Sequence, residues 1–190
     1  MAGAPSRGAM IGVARAQVGG ELETPDLSPL PGWVDEGSTD TPNRSFVSGD
    51  PTGQRLRVRY YRDPASDERV ARVWFGPLAE GPPGHAHGGS LAAVLDEAMG
   101  SCCWVHGHQV LAGTLQIVYR SPLPLGSVVT VRAGLGEVGE RKVRTWGRVV
   151  GDGDVVYAEA TGIFVRLRPD VADAFANAMA AGTYRPPHQY

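Results

Sequence analysis

The segment that most limits the possible folds is residues 88–104, the best helix candidate in the chain, which is apolar on almost every side. Two β-rich runs precede it, beginning with the alternating QRLRVRYYRD, and four more follow it, separated by Gly, Pro or Asp turns. Consecutive strands favour an antiparallel sheet, and a helix that is apolar all round has to be covered. We therefore predict an α+β fold in which a curved antiparallel sheet wraps around one long central helix.

The pattern divides the chain into three parts. Residues 1–45 are rich in Gly, Pro, Ser and acidic residues without a sustained period, which is typical of a flexible or loosely docked arm. Residues 46–168 carry the strands and the long helix, and we expect them to form one domain. Residues 169–190 are predicted to be a short closing helix and a tail, with Pro169 near the helix start and Gly182 at its end.

Composition and charge argue against several classes of protein. The net charge of −2 does not favour nucleic acid or an acidic membrane as a partner, and no apolar run reaches the about 20 residues that span a bilayer. The two cysteines, Cys102 and Cys103, are adjacent, which favours a reducing, cytoplasmic location and packing of both thiols in the core. Residues 120–148 hold six basic and two acidic side chains; this region either meets a phosphorylated small molecule or forms solvated strand edges.

The helix candidate carries two adjacent carboxylates that we expect to differ. At 100° per residue, Glu97 falls on a polar stripe with Ser101, and we expect it to reach solvent. Asp96 shares its side with Ala92 and Met99 and is expected to face apolar or interfacial surroundings. A carboxylate in such a place needs a partner, a raised pKa or a chemical role. A structural Asp that hydrogen-bonds backbone or a hydroxyl is the alternative interpretation.

The sequence HGGS at the start of this helix is a candidate oxyanion site. Gly88 and Gly89 lack Cβ atoms, so a ligand can approach the first-turn amides at the positive end of the helix dipole. A tight turn with ordinary capping is the alternative. Eight residues at about 1.5 Å each separate Gly88 from Asp96 by roughly 12 Å, too far for one carbonyl to contact both. If the two cooperate, the carboxylate must come from a second subunit across a two-fold axis, which predicts a homodimer.

The stretch GPPGHAHGGSLAAVLDEAMG, followed by TLQIVYRSPLPLG, resembles the hotdog-fold acyl-CoA thioesterases of the PaaI-like and THEM4-like group. The shared pattern is His-Gly-Gly, six residues, Asp, and then a strand with Tyr-(Arg/Lys)-x-Pro-x-Pro, here residues 87–89, Asp96 and residues 119–124. The resemblance covers roughly residues 45–167. It implies the hotdog fold and hydrolysis of acyl-CoA to a carboxylic acid and coenzyme A, without a further cofactor. It also implies homodimers and leaves open whether these pair into tetramers.

The same resemblance implies roles for individual residues. The Gly88 amide would polarise the thioester carbonyl, and Asp96 of the partner subunit would act as general base or nucleophile. Thr114 matches a Ser or Thr that helps to hold the attacking water, and His87 would shape the turn and hydrogen-bond near the carbonyl. The implied substrate-binding residues are Gly89 at the helix start and, toward the coenzyme A phosphates, Arg120, Arg141 and Lys142.

The chain departs from the family pattern at two places. Relatives often have Cys-x-x-Cys-Gly before the first strand, whereas residues 45–49 read SFVSG, which argues against metal or redox chemistry there. Some relatives have an Asn in the turn before His-Gly-Gly; here the turn is EGPPGHA, so carbonyl polarisation would depend more on backbone amides.

Three further interpretations are weaker. The two His-x-His pairs at residues 85–87 and 106–108 do not predict a metal site, because the first lies in a turn and no suitably spaced carboxylate completes it. A non-catalytic acyl-CoA binding or sensing module on the same fold is the main alternative to hydrolysis. Hydratase or dehydratase chemistry would need a different His/Asp pairing, which we do not find.

Overall fold

The computed structural model describes residues 24–35, 45–50 and 52–180. Within these ranges the chain forms seven strands and two α-helices. In chain order they are β1 (Val34–Asp35), β2 (Leu56–Asp63), β3 (Glu68–Phe75), α1 (Gly88–Val105), β4 (Val110–Tyr119), β5 (Val128–Val138), β6 (Lys142–Val150), β7 (Val156–Arg166) and α2 (Pro169–Ala180).

The seven strands form one antiparallel sheet in the order β1-β2-β3-β5-β6-β7-β4. The strand that follows α1 along the chain, β4, pairs with β7 and lies at one end of this order. Alternate residues of the central strands turn one face of the sheet toward α1, and that face supplies most of the buried core. The predicted α+β hotdog architecture, with a curved sheet around one long helix, is confirmed.

Helix α1 lies very close to the sheet because two strands carry glycine beneath it. A Cβ at Gly147 of β6 would lie 3.1 Å from the Met99 Sδ, and a Cβ at Gly162 of β7 would lie 2.9 Å from the Met99 Cε. No ordinary side chain fits there without displacing Met99, so the two glycines form a notch that receives this methionine.

The two cysteines of α1 pack in this core, as the sequence predicts. Both are fully buried and free, and burial raises the pKa of Cys102 to about 11 and that of Cys103 to about 12. Thiols with such pKa values are protonated at neutral pH and unreactive, so they act here as small apolar side chains.

Part of the predicted N-terminal arm is docked on the sheet. Strand β1 pairs with β2, the Tyr61 hydroxyl donates to the Leu27 carbonyl at 2.5 Å, and the Trp33 ring lies 6.0 Å from the Tyr61 ring. These contacts cover the face of β2 that is turned away from α1. The rest of the arm, and Gly182 at the predicted end of the closing helix, lie outside the described residues, and the predicted domain limits stay a prediction. Neither described helix is long and apolar enough to cross a membrane.

Candidate active site

The turn that leads into α1 is held by backbone contacts. Glu80 and Ala86 pair across it as an antiparallel bridge, and the Glu80 side chain accepts a hydrogen bond from the Gly84 amide at 2.8 Å. Gly84 has a φ of +74°, a left-handed conformation that favours glycine. The Ala86 amide donates to the Leu123 carbonyl at 2.8 Å, so the loop that follows β4 supports the turn from the other side. The start of α1 is therefore fixed from two directions.

His87 caps the helix with its side chain. Its Nδ1 accepts a hydrogen bond from the Gly89 amide at 2.9 Å, and its carbonyl accepts one from the Ser90 amide at 2.9 Å. The Gly88 amide has no hydrogen-bond acceptor within the described part of the chain. An amide donor is thus available at Gly88, next to His87, and its role toward an oxyanion stays a prediction.

The structure gives Gly89 a different task from the predicted one. Its amide is occupied by the His87 ring, and a Cβ at Gly89 would lie 2.9 Å from the His87 Nδ1. Glycine at this position therefore makes room for the cap. The expected direct use of the Gly89 amide by substrate is not supported by this arrangement.

Tyr119, the last residue of β4, contacts the same helix start. Its hydroxyl donates to the Gly88 carbonyl at 2.9 Å, and its ring lies where a side chain at position 88 would be, 3.2 Å from the position of a Cβ. In the sequence, Tyr119 belongs to the Tyr-(Arg/Lys)-x-Pro-x-Pro motif, which by itself predicts no role for it. Its position beside Arg120 was the one sequence feature that pointed to the site, because no sequence pattern predicts a contact between residues 88 and 119.

The expectation that Glu97 reaches solvent is wrong, and the expectation that Asp96 lies at an interface stays a prediction. Asp96 is exposed, whereas Glu97 is turned toward β2, where it accepts hydrogen bonds from the Tyr60 hydroxyl at 3.0 Å and from the Ser45 hydroxyl. The polar stripe containing Glu97 and Ser101 does exist, but it packs inward; Ser101 is buried and accepts from the Arg69 Nε at 3.0 Å. Helical periodicity fixes which residues share a side, not which side the sheet covers.

Burial raises the pKa of both carboxyl groups. For Glu97 the hydrogen bonds from Ser45 and Tyr60 act in the opposite direction and favour the ionised form. For Asp96, loss of hydration is the cause, even though its side chain reaches the surface between the partly buried Ala93 and Gly100. Asp96 is therefore an accessible carboxylate with a higher pKa than an ordinary aspartate, which suits a general base.

Thr114 does not lie beside Asp96 within one chain. The register of β4 against β7 shifts between Ala112 and Thr114, so that Thr114 pairs with Ile163. The next residue, Leu115, reaches the glycine notch under Met99, since its Cδ1 would lie 3.1 Å from a Cβ at Gly162. Because neighbouring residues of a strand point to opposite faces, the Thr114 side chain is directed away from α1. Its contact with the attacking water, at a site shared with a second subunit, stays a prediction.

The predicted phosphate-binding side chains lie in two separate places. Arg120 follows Tyr119 near the helix start, where its Nη2 lies 2.8 Å from the Glu159 carboxylate. Arg141 and Lys142 lie at the opposite end of the strands, because Lys142 pairs with Val165 whereas Tyr119 pairs with Ala158. Seven residues of β7 separate the two ends, about 23 Å at the usual rise of a strand. A single chain cannot bring all three to one phosphate group.

Arg120 also lines a groove on the face of the sheet turned away from α1. The groove has a volume of about 360 Å³, and the Glu159 carboxylate in it accepts a hydrogen bond from the Arg120 Nε and forms an ion pair with the Arg148 Nε at 3.1 Å. Arg144 pairs with Glu137 at 3.3 Å on the same face. Much of the basic excess of residues 120–148 is thus paired locally on the sheet surface.

The histidines beyond α1 serve the end of the helix. The His106 Nδ1 lies 2.7 Å from the Cys102 carbonyl, and its Nε2 lies 3.1 Å from an Asp67 carboxylate oxygen. Among the described residues, no group of three or more His, Cys, Asp or Glu side chains is placed to hold a metal ion.

Comparison with known proteins shows which family the chain resembles. Residues 83–158 match the Thioesterase superfamily. The chain is 38% identical over 126 residues to the acyl-coenzyme A thioesterase THEM4 of Bos taurus, a match that covers 66% of this chain and 52% of the relative. It is 30% identical over 117 residues to the acyl-coenzyme A thioesterase THEM5 of Homo sapiens, covering 61% and 47% of the two chains. It thus spans about half the length of these curated relatives.

A solved structure gives the same result for the fold. The phenylacetic acid degradation protein PaaI of Thermus thermophilus superposes with a TM-score of 0.51 at 28% identity, covering 62% of this chain and 100% of PaaI. The family match begins within the turn at residue 83 and includes all of α1 and β4 to β6, which are the elements that position the predicted site residues.

Proposed function

We propose that this chain, which has the hotdog fold and matches the thioesterase superfamily over residues 83–158, hydrolyses acyl-CoA thioesters to a carboxylic acid and coenzyme A. The observation that carries the proposal is the Gly88 amide, a first-turn donor with no acceptor among the described residues. It lies at the positive end of α1, where developing negative charge on a thioester oxygen is stabilised. The similarity to proteins named acyl-coenzyme A thioesterases supports the substrate class.

The proposed site is completed by a second copy of the chain. Strand β4 is the last strand of the sheet, and Leu111 and Tyr119 at its two ends are 51% and 52% exposed. Two copies joined antiparallel along this edge would form one continuous sheet and bring their α1 helices side by side in opposite directions. Asp96 of the partner subunit would then approach Gly88, which the roughly 12 Å along one helix does not allow.

In this arrangement the chemistry proceeds as acyl transfer to water. Asp96 of the partner subunit takes a proton from water as the oxygen attacks the thioester carbon, or it attacks first and a mixed anhydride is then hydrolysed. The Gly88 amide stabilises the oxyanion, the carbon–sulfur bond breaks, and the proton is transferred to the departing thiolate. The raised pKa of Asp96 makes it a stronger base than an ordinary aspartate.

The same dimer offers a place for the coenzyme A phosphates. Antiparallel pairing along β4 would bring Arg141 and Lys142 of the partner subunit to the end of the sheet that carries Arg120. Basic side chains from both chains would then face one end of the substrate. A reducing, cytoplasmic location is part of the proposal and is supported by the two free, buried cysteines.

One observation favours a non-catalytic acyl-CoA binding module instead. Within one chain the Thr114 side chain is directed away from α1, so it does not face the helix that carries Asp96. A protein of this kind would bind acyl-CoA without releasing thiol.

The deciding experiment measures free-thiol release from short, long and aromatic acyl-CoAs by wild-type protein and Asp96→Asn. We expect Asp96→Asn to lower kcat at least about a hundredfold while the circular dichroism spectrum and Tm are kept. Asp152→Asn, a change of the same type at an exposed turn, is the matched control and should leave turnover unchanged. Binding of acyl-CoA without thiol release by wild-type protein would favour the binding module, and full activity of Asp96→Asn would remove Asp96 from the mechanism.

A further inference from the structure

One peptide group at the start of α1 is hydrogen-bonded at both of its polar ends. Its carbonyl belongs to Gly88 and accepts from the Tyr119 hydroxyl at 2.9 Å. Its N–H belongs to Gly89 and donates to the His87 Nδ1 at 2.9 Å. A continuous chain of two hydrogen bonds therefore runs from Tyr119, through the 88–89 peptide, to the imidazole. The Gly88 amide, which the proposed mechanism uses, takes no part in this chain.

The direction of these bonds fixes the state of the imidazole. A backbone N–H can only donate, so the His87 Nδ1 must present a lone pair, and the proton of the neutral ring is on Nε2. The His87 Nε2 has no hydrogen-bond partner within the described part of the chain, and the residue is exposed. A second N–H donor is therefore available on the residue that precedes Gly88.

Tyr119 is placed to stabilise this arrangement in two ways. A hydroxyl that donates to an amide carbonyl polarises the peptide and strengthens the hydrogen bond that its N–H gives. In addition, the Tyr119 ring rests against the Gly88 backbone, so the first turn of α1 is held at a set orientation to the edge strand. Without the hydroxyl, the Gly89 amide is a weaker donor, and the ring can adopt the other tautomer with less cost.

We propose that Tyr119 is a positioning residue that holds His87 as the Nε2–H tautomer through the 88–89 peptide, and that this N–H is the second donor to the thioester oxygen. The proposal rests on the proposed hydrolysis of acyl-CoA. It predicts that Tyr119 affects turnover only through His87 and that the imidazole state is already set in the ligand-free protein.

The test combines nitrogen NMR of the His87 ring with kinetics. In ¹⁵N-histidine-labelled wild-type protein, the ring is expected to show an unprotonated Nδ1 and a protonated Nε2, whereas Tyr119→Phe should show a mixture of tautomers. Tyr119→Phe should lower kcat about threefold to tenfold, as for loss of one net hydrogen bond, with KM changed less than twofold. Tyr157→Phe, at a tyrosine whose side chain makes no hydrogen bond to the described residues, is the matched control.

A His87→Ser variant separates positioning from simple support of the helix. Serine keeps an N-cap acceptor for the first-turn amides, so Tm should change little, but it has no N–H that reaches the position of Nε2. We expect kcat to fall about a hundredfold, as for loss of an oxyanion donor. In this background, adding Tyr119→Phe should have no further effect on kcat, because the two residues act as one unit.

Each outcome bears on the proposal. A wild-type ring protonated on Nδ1, or a tautomer unchanged in Tyr119→Phe, overturns the positioning role even in a fully active enzyme. An equal loss of kcat from Tyr119→Phe with and without His87→Ser also overturns it, since Tyr119 would then act independently. If wild-type protein releases no thiol, the proposed function fails and the donor role with it, whereas the NMR result alone still decides the tautomer.

Discussion

Replacing Tyr60 by Phe tests the contact between β2 and the inward-turned carboxylate of α1. Phenylalanine keeps the buried ring, including its contact with the Arg69 guanidinium 4.8 Å from the ring centre, and removes only the hydroxyl that donates to Glu97 at 3.0 Å. A hydrogen bond to a charged group contributes about 1.5–3 kcal/mol. We therefore expect Tyr60→Phe to lower the free energy of unfolding by about 2 kcal/mol at pH 8, or a Tm shift of roughly 4–8 °C for a chain of this size.

The loss of stability caused by Tyr60→Phe is expected to depend on pH. The Tyr60 hydroxyl favours the ionised form of Glu97, whose pKa is raised by burial, so its removal costs most where that carboxyl is ionised. As the pH falls through the raised pKa, Glu97 becomes protonated in both proteins and the difference between them shrinks. Urea unfolding at pH 8 and pH 5, at one protein concentration, measures both values.

A matched tyrosine supplies the control. The Tyr61 hydroxyl donates to a neutral acceptor, the Leu27 carbonyl, so Tyr61→Phe should cost about 1 kcal/mol with little dependence on pH. The reasoning is refuted if Tyr60→Phe costs less than about 0.5 kcal/mol, or if its cost is the same at both pH values. A smaller cost would mean that Glu97 is not a charged acceptor in the folded protein, and equal costs would mean that its ionisation does not change between the two pH values.

Three further predictions concern the site and the core. The acid limb of the kcat/KM profile should lie above the pH expected for an ordinary aspartate, because burial raises the pKa of Asp96 and the base must be ionised; a limb at the ordinary position would contradict this. Gly162→Ala should destabilise the protein by about 1–3 kcal/mol in urea unfolding, since its Cβ would lie 2.9 Å from Met99, and Met99→Ala should reduce that cost. Arg120→Gln should raise KM for acyl-CoA but not for the acyl-N-acetylcysteamine thioester, which lacks phosphates; an equal rise for both would place Arg120 elsewhere in the mechanism.

The long helix and the strand pattern could be predicted because they depend on local periodicity. The start of α1 was also within reach, since His-Gly-Gly marks both a cap and a set of first-turn donors. The environments of Asp96 and Glu97 were not, because they depend on Tyr60 and on which strands close over the helix. The residue pattern of the helix does not show which of its sides the strands cover.

Two further features of the candidate site depend on the sheet and could not be predicted from the sequence. One extra residue, the bulge at Gly113, changes which face Thr114 is on, and a bulge in an edge strand leaves only a weak trace in sequence. Arg120 and Lys142 belong to the same basic region of the sequence but lie at opposite ends of the strands, since register sets position along a sheet. In both cases the placement of the residues depends on pairing partners far along the chain.

The glycine notch beneath Met99 has a consequence for evolution of the site. A helix that rests on flat side chains can slide, but one with a methionine seated between Gly147 and Gly162 has a single axial position. Met99 lies eleven residues after Gly88 on the same helix. Its contact with the two glycines therefore sets how far the start of α1 projects past the edge strand β4. In the proposed dimer, substitutions at Gly147 or Gly162 would therefore change the distance between Gly88 of one subunit and Asp96 of the other. No residue that touches substrate would be altered.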